Sequence, residues 1–209
     1  MIHGYHIILP FYGFWLPNDP RGSWSDFVWK WELARFGRAA KDLGRRTFDQ
    51  LTPHEIQQQT DARAVLNYSP VSLTGTQALS VAKGFAFRVL RSSYTVWACA
   101  ILPEHVHVVL ARHTYPVEQM AKLLKASATY HLRHEKQHPF QPDSPDTKPL
   151  RSVWAESQWK VYLNNEEHIE TAIRYVEENP GREGKPCQTW SFVTPFRGLQ
   201  YGHGHVTYH

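Results

Sequence analysis

The chain has 209 residues, of which 42% are hydrophobic and 20% charged, so its composition excludes a disordered or membrane-embedded protein and favours one domain with its own core. Its formal charge of +4, with 13 histidines counted as neutral, permits a polyanionic partner without requiring one. The cysteines, Cys99 and Cys187, have no metal-type spacing and fit free thiols in a reducing compartment. Since no secretion signal or membrane-spanning run is recognised either, we expect a cytoplasmic protein without a membrane partner.

The first third of the sequence predicts one strand and an insertion. Residues 5–12 are typical of a buried strand, and residues 13–24 are typical of a loop because proline and glycine interrupt any regular period. Residues 26–43 and 52–66 have helical patterns, and the second begins with Thr52 as N-cap, a proline, and Glu55 completing a capping box. We interpret residues of about 24–72 as a helical insertion after the first strand.

The rest of the chain predicts a helix over 74–92, a hairpin of strands 94–102 and 105–112, and a helix over about 116–137. A proline-rich loop, a strand over 159–163 and a helix from Asn165 to Glu178, stopped by Asn179-Pro180, follow. Without the insertion, this order is the split βαβ pattern of an α+β, ferredoxin-like antiparallel sheet with helices on one face, plus a terminal helix. We expect a single catalytic domain over 1–196 and an irregular tail over 197–209.

A pair of histidines lies in the second arm of the predicted hairpin. Residues two apart in a strand project to the same side, so His105 and His107 present two imidazoles together while Val106 points the other way. In a chain with 13 histidines this spacing also arises by chance, and His203-Gly-His205 repeats it in the glycine-rich tail. The spacing alone therefore does not establish a metal site.

The terminal helix supplies a candidate nucleophile and a third ligand. Tyr175 and Asn179 are four residues apart, so they project from the same side of that helix. A tyrosine hydroxyl is protonated at neutral pH and needs a nearby cation to act as a nucleophile. Two imidazoles, from His105 and His107, with the Asn179 amide oxygen and open positions suit Mg²⁺ or Mn²⁺ in phosphoryl transfer. Without the histidines, Tyr175 would be read as a residue that packs the helix on the sheet.

The segment Leu102-Pro-Glu-His-Val-His-Val-Val109 followed by Tyr175-Val-Glu-Glu-Asn-Pro180 resembles the single-tyrosine HUH transposases, where U is a hydrophobic residue, and in particular their REP-associated tyrosine transposase branch. A tryptophan-rich stretch at 153–159 and the opening residues 12–22 are similar to members of that family as well. The resemblance covers about 1–25 and 75–196, and the insertion has no counterpart in the minimal family pattern.

The resemblance implies that Tyr175 attacks a phosphodiester of single-stranded DNA, which gives a 5′-phosphotyrosine link and a free 3′ hydroxyl without ATP. It also implies a metal held by His105, His107 and Asn179, and recognition of a DNA hairpin with a short single-stranded guide beside it. Members of the family work as monomers or as homodimers, so the oligomeric state and the assembly of the site from one or two chains stay open.

Further residues are weaker candidates. Glu104 matches the family pattern and is a candidate hydrogen-bond partner of an imidazole, and it is equally a turn residue. His168, on the same stripe as Tyr175, is a candidate for proton transfer, although the family pattern does not require it. Candidate DNA contacts are Arg21, Trp15 and Trp24 in the first loop, and Lys122, Lys125 and Arg133 on the basic flank of the 116–137 helix.

Two other functions remain open from the sequence. A hairpin-binding protein that keeps the fold without catalysis is disfavoured because both histidines, Tyr175 and Asn179 are present. A ferredoxin-like protein whose histidines hold a structural zinc would normally need a fourth strong ligand, which neither cysteine is spaced to supply. A replication initiator or plasmid relaxase shares the chemistry but orders its motifs differently or has a longer histidine cluster.

Overall fold

The computed structural model describes residues 1–14, 51–140, 150–156, 158–202 and 205–208. The chain divides into two compact units, Met1–Pro10 with Ser72–His209, and Phe11–Val71, and each is described by itself. In chain order the elements are β1 (Gly4–Pro10), α1 (Pro53–Ala64), α2 (Gly75–Ser92), β2 (Val96–Ile101), β3 (His105–Ala111), α3 (Val117–His134), β4 (Trp159–Leu163), α4 (Glu166–Arg182), β5 (Leu199–Gly202) and β6 (His205–Tyr208).

The first unit is built on a four-stranded antiparallel sheet in the order β2-β3-β1-β4. This order follows from the split βαβ connection, because β1 lies between β3 and β4 while the β2–β3 hairpin extends the sheet on one side. Every residue of β1, β2 and β3 is buried, although β2 lies at one edge of the sheet. The predicted α+β, ferredoxin-like fold is therefore confirmed.

Helices cover both faces of this sheet. On one face α2 and α3 pack against each other, at a distance so short that a Cβ on Gly84 would lie 2.5 Å from the Ala128 Cα. On the other face α4 packs its buried Ile169 and Val176 against Trp97 and Val109 of the sheet. Because side chains alternate along a strand, every second residue of β3 points to α4, and the histidines are among them.

The terminal helix α4 is longer than its sequence predicts. It begins at the N-cap Asn165, whose Oδ1 accepts from the His168 amide at 2.8 Å, as the sequence indicates. It continues through Pro180 to Arg182, whereas a stop at Asn179-Pro180 was expected. Proline removes one amide donor, but the final turn is closed by the Glu183 amide, which donates to the Asn179 carbonyl at 3.2 Å. Asn179 is consequently a helical residue.

The segment that follows α4 protects the edge of the sheet at β2. The Gln188 side chain accepts from the Ile101 amide at 2.7 Å and donates to the Ile101 carbonyl at 2.8 Å, and the Thr194 amide donates to the Val96 carbonyl at 2.7 Å. These bonds satisfy backbone groups that an open edge strand leaves unpaired. The tail that was expected to be irregular then forms the two-stranded β5–β6 hairpin, so that prediction is wrong.

The second unit contains α1, which begins at the predicted capping box. Thr52 accepts from the Glu55 amide at 3.2 Å while the Glu55 carboxylate accepts from the Thr52 amide at 2.9 Å. The rings of Tyr12 and Tyr68 stack with centroids 3.7 Å apart, and the Val71 amide donates to the Tyr12 carbonyl at 2.8 Å. The helix expected over 26–43 lies outside the described residues.

Across the described residues, no helix combines the length and apolarity that crossing a bilayer requires. Cys99 is buried and Cys187 is exposed, and both are free thiols, as expected. Burial raises the pKa of the Cys99 thiol, so this cysteine is an inert core residue.

Candidate active site

The two histidines of β3 meet on the sheet face that α4 covers. His105 and His107 are 6% and 3% exposed, and their Nε2 atoms lie 2.9 Å apart. The alternation of β3 turns both rings to the same side, while Val106 and Val108 point into the core beneath α2 and α3. Two nitrogens this close can share a single proton or bind a single cation at about 2.1 Å from each. We call the cluster of side chains around them the pocket.

Asn179 brings a third polar group to the same pocket. It is 6% exposed, and its Nδ2 lies 3.3 Å from Nε2 of His107. A half-turn of the carboxamide exchanges Nδ2 for Oδ1 in nearly the same place. The pocket thus offers two imidazole nitrogens and one amide oxygen from β3 and α4.

Two of the three separations within this set have the length expected between neighbouring ligands of a six-coordinate divalent cation. Ligands at about 2.1 Å from Mg²⁺ in octahedral geometry lie about 3 Å from their neighbours, which matches the 2.9 Å and 3.3 Å separations of the three side chains. Three side chains fill only three of six positions. Among the described residues, no cluster of three or more His, Cys, Asp or Glu side chains is arranged to hold a metal. Water and phosphate oxygens would supply the remaining positions.

Tyr175 borders this pocket one helical turn before Asn179. Its ring centroid lies 5.5 Å from that of His107, and the side chain is half-buried. The Arg182 guanidinium lies 5.3 Å from the Tyr175 ring centroid and pairs with the Glu178 carboxylate at 2.6 Å. A guanidinium at this position is a candidate contact for a phosphate.

The packing of α4 fixes the position of Tyr175 and Asn179. Ile169, Ala172 and Val176 pack in one buried cluster with Trp97 and other residues of the sheet face. Gly4 makes this possible, because a Cβ there would lie 2.7 Å from the Trp97 ring and 2.6 Å from the Leu110 carbonyl oxygen. The helix that carries the nucleophile candidate is therefore held by a packed apolar interface, not by the polar groups alone.

The sequence did not single out His6, which the fold brings to the same site. Its Nε2 lies 3.0 Å from Nδ1 of His107, and its ring centroid lies 5.8 Å from that of Tyr175. Burial lowers the pKa of His6 to about 4, so the ring is neutral at physiological pH. Its approach to His107 follows from the pairing of Ile8 with His107 in the sheet, which the sequence alone does not show.

The remaining predicted residues are less directly involved. Glu104 is half-buried in the turn before β3, and His168 is exposed near the start of α4, about 10 Å along the helix from Tyr175 by the helical rise. The structure therefore does not bring His168 to the pocket. The candidate base contacts, Arg21, Trp15 and Trp24, lie outside the described residues.

The basic flank of α3 is only partly open. Lys122 and Arg133 are exposed. Lys125 is half-buried, and its Nζ donates to the Ala155 carbonyl at 3.1 Å. Burial lowers the pKa of Lys125 to about 8, so it loses its proton at a lower pH than a surface lysine does. Of the three predicted phosphate contacts, Lys125 is the least accessible.

No protein-family model matches the chain, and no curated protein matches it. Among solved structures, the fold is similar to a REP-associated tyrosine transposase bound to a REP hairpin, at 11% identity and a TM-score of 0.45, over 87% of this chain and 68% of that one. It is also similar to a candidate transposase from Deinococcus radiodurans R1, at 13% identity and a TM-score of 0.38, over 86% of this chain and 91% of that one. Since these similarities are low, the function proposed below rests on the residues of the site.

Proposed function

We propose that the chain is a transposase-like enzyme that cuts and rejoins single-stranded DNA beside a hairpin, with Tyr175 as nucleophile. The observation that carries this proposal is the convergence of His105, His107 and Asn179 on one pocket bordered by Tyr175. These residues match the pattern of the single-tyrosine HUH transposases that the sequence resembles. In a ferredoxin-like protein, a structural metal site would not require a half-buried tyrosine beside its ligands.

In the proposed reaction the Tyr175 hydroxyl oxygen attacks a phosphorus atom of the DNA backbone. A bond forms between the tyrosine oxygen and phosphorus, the bond from phosphorus to the 3′ oxygen breaks, and the proton lost by the phenol is balanced by the one that the 3′ oxygen takes up. The products are a 5′-phosphotyrosine link and a free 3′ hydroxyl. Attack by another 3′ hydroxyl reverses the step and joins a new strand, so no ATP is consumed.

Each residue of the site has a part in this scheme. His105, His107 and Asn179 would hold Mg²⁺ or Mn²⁺, which when bound supplies positive charge to the phosphate oxygens. The apolar packing of α4 would hold Tyr175 in place for attack on that phosphate. Arg182, which lies 5.3 Å from the Tyr175 ring and pairs with Glu178, would be a second cation near the phosphate. The hairpin itself would lie against exposed cations such as Lys122 and Arg133.

We also propose that the protein is cytoplasmic, because free cysteines such as the exposed Cys187 persist in reducing compartments. There it would associate with chromosomal or mobile-element DNA. Its partner is single-stranded or hairpin DNA, in a monomer or a homodimer.

The test is a covalent-adduct assay with labelled single strands that carry a hairpin, in the presence of Mn²⁺. The natural chain should give a labelled species that survives denaturation, and Tyr175→Phe should abolish this species while hairpin binding persists. Tyr162→Phe is the matched control, because Tyr162 is an exposed tyrosine on β4 and should leave the yield unchanged. An adduct that persists in Tyr175→Phe would refute the nucleophile, and tight hairpin binding without any adduct would favour a binding protein.

A further inference from the structure

The buried His6 is joined to the pocket by one hydrogen bond. In the β1–β3 register Ile8 is the partner of His107 and His6 is the partner of Val109, so the His6 side chain lies on the same sheet face as the two β3 histidines. Its Nε2 lies 3.0 Å from Nδ1 of His107, and the side chain is 8% exposed. Nδ1 of the proposed ligand His107 is thus hydrogen-bonded to the imidazole of His6.

The proton on this hydrogen bond can be assigned from the groups around His107. Its Nε2 faces Nε2 of His105 at 2.9 Å and the Asn179 carboxamide at 3.3 Å, which is the side proposed to hold the cation. An imidazole nitrogen binds a metal through its lone pair, so the proton of neutral His107 has to be on Nδ1. Nδ1–H then donates to His6 Nε2.

We propose that His6 is a positioning residue that holds His107 in the Nδ1-protonated form, with the Nε2 lone pair turned into the pocket. This inference rests on the proposed function only in that His107 is taken as a ligand. A metal-bound histidine usually donates its other N–H to an acceptor that fixes the ring, and removal of that acceptor weakens metal affinity about 10- to 100-fold. Here the acceptor is a neutral imidazole in the neighbouring strand.

His6 also packs near Tyr175, with ring centroids 5.8 Å apart. The variants must therefore distinguish loss of the hydrogen-bond acceptor from loss of ring packing. His6→Phe keeps a ring of similar size and removes the acceptor, leaving the His107 Nδ1–H without its partner. His6→Gln loses the ring but keeps an oxygen that can accept. His3→Phe is the matched control, since His3 is a buried histidine just before β1, at 4% exposure, where alternation turns it to the opposite sheet face.

The first readout is Mn²⁺ affinity, measured by electron paramagnetic resonance titration of the full chain without DNA. His6→Phe should bind Mn²⁺ about 10- to 100-fold more weakly than the natural chain, and His6→Gln should recover most of that loss. His3→Phe should bind as the natural chain does, which separates the effect from general damage to β1. Natural affinity in a folded His6→Phe, together with loss of affinity in His107→Ala, would overturn the role of His6.

The second readout needs no metal. Long-range ¹H–¹⁵N correlation spectra distinguish the two neutral forms of an imidazole, and the metal-free natural chain should show His107 protonated at Nδ1. His6→Phe should shift His107 towards protonation at Nε2, and His6→Gln should not. A natural chain with His107 protonated at Nε2 would overturn the inference even if no Mn²⁺ binds. If both readouts are as expected and no DNA adduct forms, His6 keeps its role and the proposed function fails.

Discussion

Asn179 is the residue that joins the terminal helix to the paired histidines. Its carboxamide is buried at 6% exposure and lies 3.3 Å from His107 Nε2, whereas Asn165 at the other end of α4 accepts from the His168 amide. The two asparagines thus serve the same helix in different ways. One faces the proposed cation and the other caps the helix.

Asn179→Ala should lower Mn²⁺ affinity by at least about 10-fold, because it removes one of three protein ligands. Asn165→Ala should leave the affinity unchanged while lowering the free energy of unfolding by about 1 kcal/mol through loss of the N-cap. Metal titration and chemical denaturation of both variants measure the two effects. Equal affinities in Asn179→Ala and the natural chain would remove Asn179 from the ligand set.

At the level of single residues, the sequence predicts those relations that lie within one element. The spacing of His105 and His107 in a strand, and of Tyr175 and Asn179 in a helix, fixes which side chains share a side. That β3 and α4 face each other followed only from the family resemblance. The sequence did not predict a role for His6, because its approach to His107 depends on the register of β1 against β3, which no local pattern specifies.

The contact between α2 and α3 depends on one glycine. A Cβ at Gly84 would lie 2.5 Å from the Ala128 Cα and 2.7 Å from the Ser127 carbonyl oxygen, both of which are backbone atoms that cannot move aside separately. At Gly75, the first residue of the same helix, nothing lies within 4 Å of the corresponding position. The two glycines therefore form a matched pair in one helix.

Gly84→Ala should lower the free energy of unfolding by about 1–3 kcal/mol, because α2 and α3 have to separate to admit the methyl group. Gly75→Ala should be neutral or slightly stabilising, since alanine is the better helix former. Thermal and chemical denaturation of the two variants provide the comparison. A Gly84→Ala chain as stable as the natural one would contradict the close contact of the two helices.

Most elements of the first unit were predictable because each has a clear period and clear ends. Asn165 caps its helix as the sequence indicates, and β4 has the predicted bounds. The predicted end of α4 was wrong because a proline in the last turn costs little once later amides close that turn. This extension gives Arg182 its place beside Tyr175, which the sequence did not suggest.

For the whole molecule, the lowered pKa values of two buried histidines make the free energy of unfolding depend on pH. Burial lowers the pKa of His6 and of His138 from an ordinary 6.5 to about 4, and the charge of Arg133 adds to the effect at His138. The unfolded chain therefore takes up protons at a higher pH than the folded chain does. The stabilisation is present above about pH 6.5 and is lost progressively as the pH falls towards 4.

The free energy of unfolding should fall by up to about 1.4 kcal/mol per pH unit for each of these histidines in that range. Urea denaturation with a chelator at about pH 7.5, 6 and 5 measures the slope. In His138→Gln, unfolding should take up about one proton fewer, so the free energy of unfolding should depend less steeply on pH. His6 should still contribute its part of the slope. An unchanged slope in this variant would show that His138 does not stay neutral in the folded chain.

The division of the molecule was harder to predict than its sheet. The insertion expected over about 24–72 stays a prediction, and compactness assigns Phe11–Val71 to a unit of its own. A compact unit is defined by which residues pack together in space, whereas the sequence shows only where the family pattern is interrupted.

The identity of the residue that becomes linked to DNA tests the central claim most directly. Trypsin cuts after Arg174 and Arg182, so Tyr175 lies in the peptide Tyr175-Val-Glu-Glu-Asn-Pro-Gly-Arg182, which contains no other tyrosine. After the adduct assay and nuclease digestion, mass spectrometry should find the nucleotide on this peptide, in a reaction that requires Mn²⁺. A nucleotide found on any other peptide, or on none although the hairpin is cut, would contradict Tyr175 as the nucleophile.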